Sequence, residues 1–146
     1  MHPSADSKPS ACGTLPRLDE ARALPDTDVE LIDLRDYPLP HFDEPASPMW
    51  KKGKYDDEAV QLWANRIADG DAFVIVSPEY NHGYPAVLKN AIDVGSRPYG
   101  HSVWNGKPAA IVTASPGSIG GFGSNHQIRQ ACVFLNMPVM AQPEAY

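Results

Sequence analysis

The chain is poor in cysteine, in basic clusters and in long apolar runs, and each shortage narrows the field. Two cysteines in 146 residues, Cys12 and Cys132, are too few and too far apart for a disulfide framework or a zinc knuckle. They read as reduced thiols of a cytoplasmic protein. The formal net charge is -6, and the longest basic group is Lys51-Lys52-Gly53-Lys54. That balance argues against a nucleic-acid partner, which calls for a basic face. No apolar stretch approaches the roughly 20 residues that cross a bilayer, so no membrane is expected. Met1-His2-Pro3-Ser4 lacks the charged-then-apolar pattern of a secretory signal.

Proline, in contrast, is abundant, with 15 residues, about twice ordinary usage. Many prolines flank apolar runs, which predicts short elements separated by defined turns. Residues 1–16 read as a disordered leader, rich in Ser, Pro and Ala, ahead of a domain over 17–146. Arg17–Leu24 reads as the last two turns of a helix, Val29–Leu34 as a short strand and Arg35–Lys54 as a long loop. Asp56 and Asp57 offer an N-cap for a helix running to Ala68, whose face is Ala59, Val60, Trp63 and Ile67, with Gly70 ending it.

Ala72-Phe73-Val74-Ile75-Val76 is an unbroken apolar run, expected to be a strand covered on both faces. A helix near Pro85–Val94 follows, then a buried strand Pro108–Ala114, a helix near Asn125–Leu135, and a last strand opening at Val139-Met140-Ala141. Helices and strands that alternate in this way predict an α/β fold with a parallel sheet and helices on both sides. Ligands of such sheets bind beyond the carboxyl ends of the strands.

Two loops leave those ends. The first is Ser77-Pro78-Glu79-Tyr80-Asn81-His82-Gly83-Tyr84-Pro85, the second Ser115-Pro116-Gly117-Ser118-Ile119-Gly120-Gly121-Phe122-Gly123. Aromatic walls and closely approaching backbone suit a flat heteroaromatic ligand with amide-like edges. Glycines of the second loop expose N–H groups to an acceptor that becomes negative on reduction. Other constellations fail. The histidines His82, His101 and His126 lack metal-ligand spacing, so no metal is expected. Gly95–Ser102 mimics a phosphate loop but carries His101 where lysine is required and follows a helix. No Gly-x-Ser-x-Gly elbow surrounds Ser115 or Ser118, and no catalytic side chain is assigned. Trp50 reads equally as a surface residue or as a cover over a substrate or partner subunit.

From about Val29 onward the sequence resembles the NADPH-dependent FMN reductase family. The resemblance lies in Glu30–Pro40, in Pro78-Glu79-Tyr80-Asn81 with Leu88-Lys89-Asn90-Ala91-Ile92-Asp93, in Ser96-Arg97-Pro98 and in Gly106-Lys107-Pro108. It implies a flavodoxin-like three-layer sandwich with a parallel sheet. It also implies FMN and NADPH (or NADH) as cofactors, and a small-molecule electron acceptor such as a quinone or azo compound. A homodimer or homotetramer follows from the same resemblance. By analogy Pro78, Glu79, Tyr80 and Asn81 contact the flavin ring, and Ser115, Pro116, Gly117, Ser118, Gly120 and Gly121 line its other edge.

The chain departs from that pattern at both ends. The family's first, central strand and its Gly-Ser-x-Arg phosphate loop have no counterpart before Pro16, where Ser10-Ala11-Cys12-Gly13-Thr14 is nearest and lacks the arginine. Tyr146 falls before the closing helix. The expected activity is therefore that of an NAD(P)H-dependent FMN oxidoreductase, and the alternative is a non-catalytic truncated fragment that binds flavin weakly or not at all.

Overall fold

A computed structural model describes residues 15–43, 55–97 and 102–146. Most of the leader (1–14), the part of the long loop that holds Trp50 (44–54) and four residues of the mimic phosphate loop (98–101) lie outside the described residues. The chain divides into two compact units, residues 1–33 and 34–146.

In the first unit, helix α1 spans Leu15–Arg22, so Leu15 and Pro16 open a helix instead of closing the leader. Proline is tolerated in a helix's first turn because that N–H has no intrahelical partner. Asp26, with φ of 55°, turns the chain, and Arg22 Nε donates to Val29 O at 3.3 Å. The expected strand over Val29–Leu34 does not form. Residues 29–33 are irregular and Leu34–Asp36 is a single 3-10 turn. A β-branched run becomes a strand only when a neighbouring strand takes up its backbone groups, and none does among the described residues.

The second unit carries helix α2 (Glu58–Asp69), strand β1 (Phe73–Pro78), helix α3 (Ala86–Gly95), strand β2 (Ala109–Ala114) and helix α4 (Phe122–Phe134). Asp57 caps α2 by accepting from the N–H groups of Ala59 (2.8 Å) and Val60 (3.1 Å). Gly70 closes that helix, and the Lys107 ammonium donates to the terminal carbonyls of Ile67 and Ala68. Three aromatic donors reach carbonyls near the end of α3. Trp63 Nε1 donates to Ala91 O at 2.8 Å, Trp104 Nε1 to Ile92 O at 3.1 Å, and the Tyr55 hydroxyl to Val94 O at 3.0 Å. They join α2, the segment before it and the segment between α3 and β2 to α3, and the two tryptophans belong to an aromatic cluster, Tyr37–Trp63–Trp104–Phe73. Asn90, from the Leu-Lys-Asn motif, clasps the loop before α2. Its amide oxygen accepts from Phe42 N and its amide nitrogen donates to Pro40 O.

Strands β1 and β2 pair in parallel from Phe73↔Ala109 to Pro78↔Ala114. The tail runs along the other edge of β2, touching it in parallel at Ala109↔Val139 and Val112↔Ala145. Six residues of tail span three of β2 between those contacts, so the tail loops out and the expected final strand is reduced to isolated bridges.

The sheet is one-sided among the described residues. Ala109, Ile111, Thr113 and Ser77 point to one face and are buried there. Asn125 Nδ2 reaches Ile111 O from α4, and Trp104 lies against Phe73 on that same face. Val74 and Val76 point the other way and are 68% and 50% exposed. The expectation that this strand is covered on both faces is thus corrected. Its apolar composition is real, but the even-numbered side chains Val74 and Val76 stay exposed among the described residues.

Candidate functional site

Because Pro78 pairs with Ala114, β1 and β2 end at the same level, and the ladder runs one step further through Glu79 N to Ala114 O at 2.9 Å. Both loops therefore emerge side by side. They enclose a cleft of about 420 Å³ lined by Glu79, Asn81, His82, Ser115, Gly117, Ser118, Ile119 and Gly120.

The first wall is a tight hairpin turn. Tyr80 and Gly83 exchange both backbone hydrogen bonds, at 2.8 and 2.9 Å, across Asn81 and His82. Both central residues are left-handed, with φ of 52° and 62°. That is the requirement of a type I′ turn, which asparagine tolerates and histidine rarely adopts. The turn carries Asn81 to the rim, while the side chain of Tyr80 stands outside the cleft and the residue is 63% exposed.

The second wall is a chain of small residues. Ser115 Oγ accepts from Gly117 N at 3.3 Å, and Gly120, at φ of 68°, turns the chain toward α4. A side chain added at Gly117 would meet only Ser115 Oγ, at 3.6 Å, so this stretch of backbone is open to close approach. Gly121 serves packing instead. A Cβ there would lie 2.7 Å from Thr113 Cβ, so only glycine lets α4 start against β2.

The walls are tied together through the first turns of α4. Glu79 Oε2 accepts from Ser124 N at 2.9 Å, Ser124 Oγ donates to Pro78 O at 3.2 Å, and Gln127 Nε2 donates to His82 O at 3.0 Å. These contacts begin α4 at Phe122, three residues before the start expected from the sequence. Behind the cleft, burial pushes the Tyr84 phenol above its ordinary pKa, and the neighbouring Asp93 and Cys132 add to the shift. Tyr84 accordingly stays neutral as a packing residue. Among the described residues no group of His, Cys, Asp or Glu is placed to hold a metal ion. No described helix is long and apolar enough to cross a membrane.

The NADPH-dependent FMN reductase family model matches residues 7–146. The chain belongs to that family. The match reaches well upstream of Val29, into the stretch that resembles nothing by inspection. Among relatives of this FMN reductase family chain, a quinone reductase of Pseudomonas putida is 50% identical over 121 residues, covering 81% of this chain and 60% of its own. An NAD(P)H-dependent FMN reductase of Schizosaccharomyces pombe is 43% identical over 112 residues, covering 77% of this chain and 52% of its own. The solved structure of FerB, a flavoenzyme NAD(P)H:(acceptor) oxidoreductase from Paracoccus denitrificans, superposes with a TM-score of 0.76 at 34% identity. It covers 96% of this chain and 72% of that one. The chain spans about 60% of the length of the Pseudomonas relative.

Of the ten residues expected at the flavin, the structure brings Glu79, Asn81, Ser115, Gly117, Ser118 and Gly120 to one cleft. Pro78, Tyr80, Pro116 and Gly121 support the loops without lining it. Two lining residues, His82 and Ile119, were not among the ten. The signal for His82 was its place beside Asn81 between a tyrosine and a glycine, which is turn chemistry. For Ile119 it was a lone large apolar residue, 61% exposed, in a loop of serine and glycine.

The cleft is lined by an amide, two hydroxyls, open glycine backbone and one apolar side chain, together with the Glu79 carboxylate and the His82 imidazole, a set that fits the polar edges of the ring of FMN. Its described residues include no lysine or arginine to meet a phosphate.

Proposed function

We propose that this chain binds a flavin ring between the two loops and works as an NAD(P)H-dependent oxidoreductase toward a quinone, an azo compound or a similar small acceptor. The observation that carries this reading is the convergence of the Pro-Glu-Tyr-Asn turn and the Ser115–Gly121 loop on one cleft at the carboxyl ends of adjacent parallel strands. A bound flavin supplies the hydride chemistry, taking two electrons from a reduced nicotinamide and giving them to the acceptor.

The chain's own residues then have three tasks. Asn81, held at the tip of its turn, presents an amide that both donates to and accepts from a ring edge bearing carbonyls and N–H groups. Ser115, Ser118 and the glycine backbone meet the other edge, where N–H donors stabilise the negative charge of reduction. Ile119, the one large apolar side chain of the lining, would offer the ring an apolar contact. No side chain is asked to act as acid or base. A homodimer or homotetramer belongs to the same reading.

The test is direct. Purified full-length chain is expected to show flavin absorbance bands or to acquire them on titration, and to oxidise NADPH in the presence of a quinone. Riboflavin and FMN are expected to bind within about threefold of each other, because no lysine or arginine is among the residues that line the cleft. Asn81→Gly keeps the turn, since glycine accepts positive φ, but removes the amide; flavin affinity is expected to fall about tenfold. Unchanged affinity in that variant overturns the site, and absence of flavin binding in the parent supports the non-catalytic fragment.

A further inference from the structure

We propose that Glu79 is a positioning residue whose carboxylate fixes the separation of the two cleft walls by capping α4, an inference that rests on the flavin-site reading above. Helix α4 arrives without a cap of its own. Gly121 at its N-cap offers no side-chain acceptor, and its first turn contains no acidic residue. Four N–H groups at a helix start need acceptors, and the terminus carries partial positive charge. Glu79, 45 residues earlier in the chain, supplies the missing acceptor to Ser124 N at 2.9 Å.

The fit around that bond is close. The Glu79 side chain is only 11% exposed although its loop is otherwise open, and Ser124 is fully buried. A Cβ at Gly123 would lie 2.6 Å from His82 O and 3.1 Å from Glu79 Oε2, so the hairpin turn presses directly on the helix backbone. The other carboxylate oxygen stands 3.8 Å from His82 Nδ1. With one oxygen on the helix and the other toward its own turn, the carboxylate braces the wall of the cleft that it helps to line. The second wall leads straight into α4, so a helix held by Glu79 is a wall held at a fixed distance from Asn81.

The capping bond also occupies the positive end of α4 with a protein carboxylate. The brace acts on the cleft wall and not on a phosphate, so the same weakening is expected for riboflavin and for FMN when it is removed.

Two measurements on the full chain test the proposal, one with flavin and one without. In titrations followed by flavin fluorescence, Glu79→Ala is expected to weaken riboflavin and FMN by the same factor, about tenfold or more. Glu79→Gln, whose amide oxygen still accepts from Ser124 N, is expected to recover binding to within about threefold of the parent. Without flavin, hydrogen exchange at the Ser124 amide is expected to accelerate in Glu79→Ala and to stay slow in Glu79→Gln, with the Ile111 and Ile128 amides protected in both. An Ala variant that binds flavin like the parent, a Gln variant as weak as the Ala variant, or unaltered exchange at Ser124 overturns the assignment. If the parent binds neither flavin, the flavin-site reading fails, and the exchange experiment still decides whether Glu79 caps α4.

Discussion

At the scale of single residues, the cleft is built by side chains and glycines placed where the backbone is under stress. His82 sits at φ of 62° with its side chain 84% exposed, making no contact that repays the conformation beyond the 3.8 Å approach to Glu79. A left-handed residue other than glycine costs roughly 1–2 kcal/mol, and an Asn-Gly pair is the favoured centre of this turn. His82→Gly keeps the carbonyl that accepts from Gln127 and is expected to stabilise the fold by about 0.5–1 kcal/mol after the entropy of glycine is subtracted. Urea unfolding measures this, and a lower midpoint in the variant would show that the imidazole contributes more than its geometry indicates. Cys132 gives a second residue-scale expectation. Burial on α4 raises its thiol above the ordinary 9.0, although Arg129 opposes the shift. The folded protein then keeps a proton that the unfolded chain gives up. Stability is therefore complete below about pH 9 and declines as pH rises through the raised value. Tyr84, raised above 10.0 mainly by burial, adds a second decline at higher pH. Denaturant midpoints measured from pH 8 to 11 are expected to fall in two stages, and Cys132→Ala is expected to flatten the first.

Among the elements, α3 shows how polar bonds fix packing. Trp104 fills the space beside Gly95 so closely that a Cβ there would lie 2.5 Å from its Nε1, the atom that donates to Ile92 O. Glycine-to-alanine in a helix usually gains up to about 1 kcal/mol. Here the sign is expected to reverse. Gly95→Ala displaces the indole and strands a buried carbonyl, a loss of about 1–3 kcal/mol, with a change in tryptophan emission as the companion signal. In a Trp104→Phe background the alanine has room, and most of its penalty is expected to vanish. The same scale explains what was legible in the sequence. Helix α2 could be read from its cap and its apolar spacing because Asp57, Val60, Trp63 and Ile67 are all local to it. Strands β1 and β2 could be read from their apolar runs, and the two cleft loops from their small and turn-forming residues. Val29–Leu34 has the composition of a strand yet is not one among the described residues, because strand pairing is not a local property. The early start of α4 depends on Glu79, 45 residues away, which no window over Phe122–Ser124 contains. The family resemblance named the loops; that both Glu79 and Asn81 line the cleft, and that Glu79 in addition accepts from Ser124 N, required coordinates.

For the second unit as a whole, the decisive feature is a sheet that, among the described residues, is dressed on one face and bare on the other. In register on adjacent strands, Ile75 and Ile111 point toward the helices, while Val76 points away and is 50% exposed. Among the described residues β1 pairs with β2 alone, so there its outer edge and the Val74/Val76 surface are open together. Open edges and contiguous apolar surface favour association with other chains. Replacing Val74 and Val76 by threonine keeps the β-branched shape and removes apolar area where no packing is lost. The double variant is expected to change unfolding free energy by less than about 0.5 kcal/mol per site. Ile111→Thr, one position along and facing the helices, buries a hydroxyl and vacates methyl volume in a residue only 2% exposed, at an expected cost of about 2–3 kcal/mol. Sedimentation velocity across a concentration series supplies the other half of the comparison. The double variant is expected to sediment as a smaller species, or to need higher concentration to associate, while Ile111→Thr leaves the association of folded molecules unaltered. If Val74 and Val76 prove as costly to replace as Ile111, that surface is covered in the folded protein and the sheet is dressed on both sides after all.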